Sequence, residues 1–303
     1  MDETHPELRS AVRFLPRMNF GPFVASVARS LTGLMRPRKP PAGVTVERRV
    51  VKNVPVWLYR PAKASAPTAV MLWIHGGGFV LGSPLQDEPE YFRFVQTLGI
   101  TVAAVDYRLA PKHPYPAPMD DCATALNWLH DDAEALGIRR GSIIIAGASA
   151  GGGLAAGLTL RARDEGKVRP RFQLLIYPML DDRTVNRTNH DTSNVEVWHP
   201  GSNRFGWSSY LGVAPGSEGV ASYAAPARET NLRGLPPTWL GVGSTDLFFD
   251  EDVAYATRLR EAGVPCELEL VRGAFHGFDA MARGTDVVKA FHRSQEAALR
   301  FLL

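Results

Sequence analysis

Three side chains of this 303-residue sequence have the types and the order needed to turn an alcohol into a nucleophile: Ser149, Asp246 and His276. A serine hydroxyl attacks poorly near neutral pH and needs a base within hydrogen-bond reach, oriented in turn by a third group. Ser149 lies in Gly147-Ala148-Ser149-Ala150-Gly151, after the apolar run Ile143-Ile144-Ile145-Ala146 and before an Ala/Leu/Gly-rich segment. That pattern predicts a buried strand, a turn too tight for bulky neighbours, and the start of a helix. Glycines two residues before and two after let the backbone fold sharply enough to lift the serine out of the sheet. There it stands beside the amide donors of a helix N-terminus, where negative charge is favoured. The pentapeptide alone is a weak signal, so its partners decide.

Of eight histidines, His276 is the strongest candidate base. It sits in Gly273-Ala274-Phe275-His276-Gly277-Phe278, a glycine-flanked loop after the last predicted strand, at the edge where open α/β sheets place ligands. The orienting acid should close another strand, and Asp246 closes Trp239-Leu240-Gly241-Val242-Gly243-Ser244-Thr245. Asp250, Glu251 and Asp279 are rivals. The first two read as acids placed for a helix N-terminal dipole, and the third as too local to His276 to reach its ring from the required side. Acyl transfer also needs donors for an oxyanion. His75-Gly76-Gly77-Gly78-Phe79 follows a predicted strand, and its consecutive glycines, with the N–H of Ala150, would supply a three-donor pocket. A phosphate-cradling loop is the competing reading, and it lacks a Lys-Ser/Thr ending and a dinucleotide fingerprint. His75 reads as a loop-ordering residue.

The elements that must position these groups alternate. Eight strands are predicted at 44–52, 54–60, 68–74, 101–105, 142–147, 172–177, 238–243 and 266–272, with helices near 87–98, 118–136, 150–165, 251–262 and 285–302. Mostly apolar strands separated by helices predict an α/β fold with a mainly parallel sheet covered on both faces. Residues 7–35 carry apolar side chains at mostly helical spacing, read as two short amphipathic helices packed outside the sheet. Residues 37–43 read as a linker. The stretch 181–236 is far longer than a crossover needs and holds Trp198, Phe205, Trp207, Tyr210 and Tyr223, so a lid is expected there.

Composition sets the bounds. Hydrophobic residues make up 45% and charged residues 21%, with a net charge of +3. No basic cluster is long enough to imply nucleic acid or an anionic membrane surface, and the nearest, Arg36-Pro37-Arg38-Lys39, reads as a solvated linker. No run approaches a membrane span, so stable membrane insertion is not expected. Cys122 and Cys266 lack metal-ligand spacing and are expected to be buried and reduced. No leader is visible, and a cytoplasmic location is expected. No metal or cofactor is called for.

With these motifs in order, the chain resembles the hormone-sensitive-lipase-like esterases, family IV of the bacterial lipolytic enzymes, within the α/β-hydrolase superfamily. The resemblance runs from about residue 44 to the C-terminus. Its carriers are His75-Gly-Gly-Gly-Phe79, Asp106-Tyr-Arg-Leu-Ala-Pro111 with Pro114-Tyr-Pro116, Gly147-Ala-Ser-Ala-Gly-Gly152, Asp246 with Asp250-Glu251, and His276-Gly-Phe278. It implies an α/β-hydrolase core over 44–303, and a cap formed by residues 1–43 with the 181–236 insertion. It implies Gly77, Gly78 and Ala150 as the oxyanion donors. The implied activity is hydrolysis of carboxylic esters, a small-molecule substrate class. The mild charge and the absent export signal point to soluble, short-to-medium acyl esters, and a homodimer is among the expected partners. Two departures stand out: Ala148 where the family usually has an acid, and Leu247-Phe248 where it usually has Pro-Leu. The alternatives are a non-hydrolytic binding protein, as the plant gibberellin receptors are on this scaffold, and a lipase acting at oil interfaces. The receptors have the catalytic histidine replaced, whereas His276 is present.

Overall fold

Strands form where β-branched and apolar residues run together or alternate with polar ones, and the chain supplies eight such stretches. The computed structural model describes residues 3–13, 19–188, 192 and 195–302. The strands are β1 (Val44–Val51), β2 (Val54–Pro61), β3 (Thr68–Ile74), β4 (Thr101–Val105), β5 (Ile138–Ala148), β6 (Phe172–Ile176), β7 (Thr238–Gly243) and β8 (Cys266–Val271). They make one sheet in the order β1-β2-β4-β3-β5-β6-β7-β8. β1 and β2 form a hairpin through Lys52 and Asn53, both at positive φ, and β2 runs antiparallel to β4. All other pairings are parallel. Strands β3, β4, β6 and β7 are buried almost throughout, as is β5 from Ile143 to Gly147, which explains the unbroken apolar sequences there.

The helices are α1 (Arg9–Val12), α2 (Pro22–Gly33), α3 (Glu88–Leu98), α4 (Ala117–Asp131), α5 (Ala150–Glu165), α6 (Pro200–Leu211), α7 (Phe249–Glu261), α8 (Phe278–Met281) and α9 (Asp286–Leu299). From β3 the chain steps one way along the sheet to β4, then back past β3 to β5, and onward through β6 and β7 to β8. Because parallel crossovers are right-handed, this reversal puts α3 on one face and α4, α5 and α7 on the other. α9 packs beside α3, where Arg93 bonds Gln295 and Glu296. The reversal also opens a crevice at the C-terminal ends of β3 and β5, where the glycine loop and Ser149 emerge.

Element boundaries differ from expectation in places. β5 begins at Ile138, because Ile138 pairs with Thr68 ahead of the bulk of the strand. α4 stops at Asp131 and not 136, and α9 gives way to a short 3-10 turn at Arg300–Leu302. Cys122 is buried, while Cys266 opens β8 half-buried; both thiols are free. The predicted N-terminal helices exist as α1 and α2, with Leu15 falling outside the described residues. The large apolar side chains of α2, however, do not pack inward: Phe23, Leu31 and Leu34 point to solvent.

Candidate active site

Ser149 stands at the junction of β5 and α5 with φ 57 and ψ −125, a conformation that a non-glycine residue holds only under constraint. The surroundings impose it. A Cβ on Gly147 would lie 2.5 Å from the Gly151 carbonyl oxygen, and one on Gly151 only 2.0 Å from that of Ile74. Only glycine lets the strand end, the helix start and β3 approach this closely. The Ser149 N–H donates to Ile176 at 2.9 Å, and its carbonyl accepts from Met179 and Gly153, both at 3.0 Å. The elbow is therefore pinned to β6 as well as β5.

β8 lies three strands from β5, about 14 Å at ordinary sheet spacing, so the His276 loop must reach back across the sheet. The loops after β7 and β8 are stapled to one another to do so. Ser244 N–H donates to Val271 O, Thr245 N–H and Oγ1 donate to Ala274 O, and Gly273 N–H donates to Ser244 Oγ. The result is a buried relay. His276 Nε2 is 2.8 Å from Ser149 Oγ, and Nδ1 is 2.8 Å from Asp246 Oδ2. The other Asp246 oxygen accepts from Phe248 N–H at 3.0 Å, which fixes the carboxylate plane. The tautomer that donates from Nδ1 to the Asp246 carboxylate leaves Nε2 to accept from the serine hydroxyl.

The rival acids are engaged elsewhere. Asp250 pairs at the surface with Arg187. Glu251 lies in the first turn of α7, as expected from sequence, but its side chain is buried and accepts from the N–H groups of Leu180 and Asp181 and from Thr184 Oγ1. Burial pushes its carboxyl up to about 8. Asp279 accepts from Tyr177 OH at 2.7 Å, and burial raises it to about 6.

Across the crevice, the loop after β3 carries Gly77 at φ +123 and Gly78 at φ +58. Among the described residues, the N–H groups of Gly77, Gly78 and Ala150 donate to no carbonyl. His75 orders this loop, its Nδ1 2.8 Å from Gly76 O and its ring stacked on Tyr107 at 4.2 Å. Burial lowers it to about 4, so it stays neutral. The Trp198 indole lies against Gly78, where a Cβ would come within 2.1 Å of it. Phe20 stacks on Trp198 at 5.8 Å, and Phe79 packs on Trp207 and Tyr210 of α6. Tyr223, also in the insertion, lies elsewhere, its OH bonded to Asp164 of α5.

A family model described as alpha/beta hydrolase fold matches residues 71–280. Esterase LipI of Mycobacterium tuberculosis is 35% identical over 221 residues, spanning 72% of this chain and 67% of LipI. The chain belongs to the hormone-sensitive-lipase-like α/β-hydrolases. Ethyl acetate hydrolase of Pseudomonas putida is 34% identical over 245 residues, 76% of this chain and 72% of that one. The solved structure of a bacterial heroin esterase superposes with a TM-score of 0.92 at 38% identity, covering 100% of this chain and 98% of that chain. This α/β-hydrolase is accordingly a carboxylesterase-type hydrolase.

Sequence reasoning missed the walls of the His276 site in this α/β-hydrolase. Phe248 and Tyr177 each meet the imidazole edge-to-face, at 5.2 and 4.7 Å. Phe248 is one of the two residues that depart from the family pattern after Asp246, and its full burial accounts for the aromatic there. Tyr177 follows β6 at φ 35, and its signal in the sequence was only its place as the last residue of the strand predicted at 172–177.

Proposed function

We propose that the protein hydrolyses soluble carboxylic esters of short-to-medium acyl chains, with Ser149 as nucleophile, His276 as general base and acid, and Asp246 as its orienting partner. The observation that carries this reading is the unbroken Oγ–Nε2 and Nδ1–Oδ2 contact chain at 2.8 Å each. His276 Nε2 takes the hydroxyl proton as Ser149 Oγ attacks the ester carbonyl. Negative charge collects on the carbonyl oxygen, and the N–H groups of Gly77, Gly78 and Ala150 receive it, the last aided by the N-terminus of α5. The imidazolium, steadied by Asp246, gives its proton to the departing alcohol. Water then enters, loses a proton to His276 and attacks the acyl carbonyl, and Ser149 leaves as the hydroxyl.

Residues 1–43 and 181–236 act in this reading as the cap over the acyl site, with the 44–303 core as the hydrolase body. Support comes from Trp198 against Gly78 and from its stack on Phe20, which joins the two parts of the cap. The relative named ethyl acetate hydrolase supports a short acyl group. A binding-only role is disfavoured because the base is present and bonded to the serine.

The test is turnover of a p-nitrophenyl ester series from acetate to palmitate by the wild type and Ser149→Ala. The variant should fold normally and lose about 10³-fold or more in kcat. Turnover that survives it would sink the assignment. A jump in rate as substrate passes its solubility limit would favour the interfacial lipase.

A further inference from the structure

A surface helix ordinarily turns its large apolar residues to the core and its small and polar ones to water. α2 is inverted. Ala25 is buried and Val24, Ala28 and Thr32 are half-buried, while Phe23, Val27, Leu31 and, at the C-terminal cap, Leu34 are 81%, 45%, 63% and 71% exposed. At 3.6 residues per turn these four fall within an arc of about 80°. They form one continuous apolar stripe along the outer side of the molecule. A stripe of that kind on a protein surface marks a contact with something apolar.

The charge around the stripe says what that is. Between Leu8 and Glu47 the sequence holds seven Arg and Lys and no Asp or Glu. Arg36, Arg38 and Lys39 follow the helix directly and are exposed. We propose that α2 and residues 36–39 form a docking surface for an anionic lipid bilayer. Phe23, Val27, Leu31 and Leu34 enter the boundary between headgroups and acyl chains, and the basic residues meet the anionic headgroups. A second copy of this chain fits less well. It would bring a like-charged segment against this one, and a single 12-residue helix about 18 Å long falls short of the ~800 Å² per partner of a stable interface. Attachment through one such stripe is reversible and weakened by salt. Among the described residues no helix is long and apolar enough to cross a membrane, so the contact is with the surface. Arg29 ties α2 to the body through Ala110 O at 3.3 Å, and Phe20, just before α2, stacks on Trp198 over the glycine loop. Docking therefore brings that loop's aromatic cover close to the lipid.

Vesicle co-sedimentation of the full chain tests this, with Ser149→Ala as the background so that binding is read apart from any ester turnover. The chain should partition about tenfold or more better onto phosphatidylcholine vesicles containing about one third phosphatidylserine than onto phosphatidylcholine alone. About 0.5 M salt should release it. Phe23→Ser/Leu31→Ser/Leu34→Ser and, separately, Arg36→Glu/Arg38→Glu/Lys39→Glu should each lower the partition about tenfold. The second set lies outside any helix or strand, so it tests the surface even if the first set disturbs α2. Equal binding to both vesicle types, or binding that neither variant lowers, overturns the proposal. So does a dimer in light scattering that the serine variant dissociates while no vesicle binding is seen.

Discussion

In the proposed mechanism, Asp246 and Gly78 are single positions that set the chemistry. An amide in place of the Asp246 carboxylate can present its NH₂ to Nδ1 and so favours the wrong imidazole tautomer, with the proton on Nε2 facing Ser149. Asp246→Asn is expected to lower kcat by about 10³–10⁴-fold with a smaller change in KM, read by steady-state kinetics on p-nitrophenyl acetate. Gly78 acts through space and not through a functional group. Its φ of +58 and its contact with the Trp198 ring leave no room for a methyl, so Gly78→Ala must move either the loop or the indole. Displacing one donor from the oxyanion costs about 10²–10³-fold in kcat, and that is the expected effect. A melting curve close to wild type would place the loss in the loop and not in the fold.

Among elements, the start of α7 and the exit from β6 depend on one carboxyl. Glu251 gathers the N–H groups of Leu180 and Asp181 and the Thr184 hydroxyl, anchoring the insertion where it leaves the sheet. Burial lifts its folded pKa from 4.5 to about 8. Between those values the folded state holds a proton that the unfolded chain has released, so this contribution is present below pH 4.5 and lost as pH rises through 8. Asp87 and Asp279, raised by burial to about 7 and about 6, act in the same direction. His75 and His292 are lowered by burial from 6.5 to about 4 and act oppositely, their stability present above 6.5 and lost as pH falls toward 4. Above pH 7 the decline belongs mostly to buried acids, Glu251 among them, at up to about 1.4 kcal/mol per pH unit for one proton. Thermal melts of Glu251→Gln between pH 7 and 9 should fall less steeply than those of the wild type. Parallel slopes would remove Glu251 from this role.

For the molecule as a whole, what could be read from sequence was what repeats locally. Apolar runs gave six of the strands and partial alternation the two at 44–52 and 54–60, and the ends of strands singled out Ser149, Asp246 and His276, because the sheet forces such ends to one edge. Pairings across long separations left no local trace. The burial of Glu251, the aromatic walls at Phe248 and Tyr177, and the outward turn of α2 all depend on which surfaces meet, and periodicity reports only that a face is apolar. The N-terminal segment is the furthest-reaching case. His5 N–H donates to Gly273 O at 2.8 Å, on the loop that carries His276, and Glu7 Oε2 accepts from the N–H groups of Asp286 and Val287 at 2.7 and 3.1 Å. Glu7 thus caps α9 from 279 residues away in sequence, placing its charge at the positive end of the helix. Glu7→Ala removes that cap and should cost about 1 kcal/mol, a fall in Tm of about 2 °C, measured by calorimetry. Deleting residues 1–8 also frees Gly273, so kcat should fall along with Tm, whereas Glu7→Ala should change Tm and leave kcat near wild type. If both variants lower kcat to the same degree, the restraint on the His276 loop runs through α9 and not through His5.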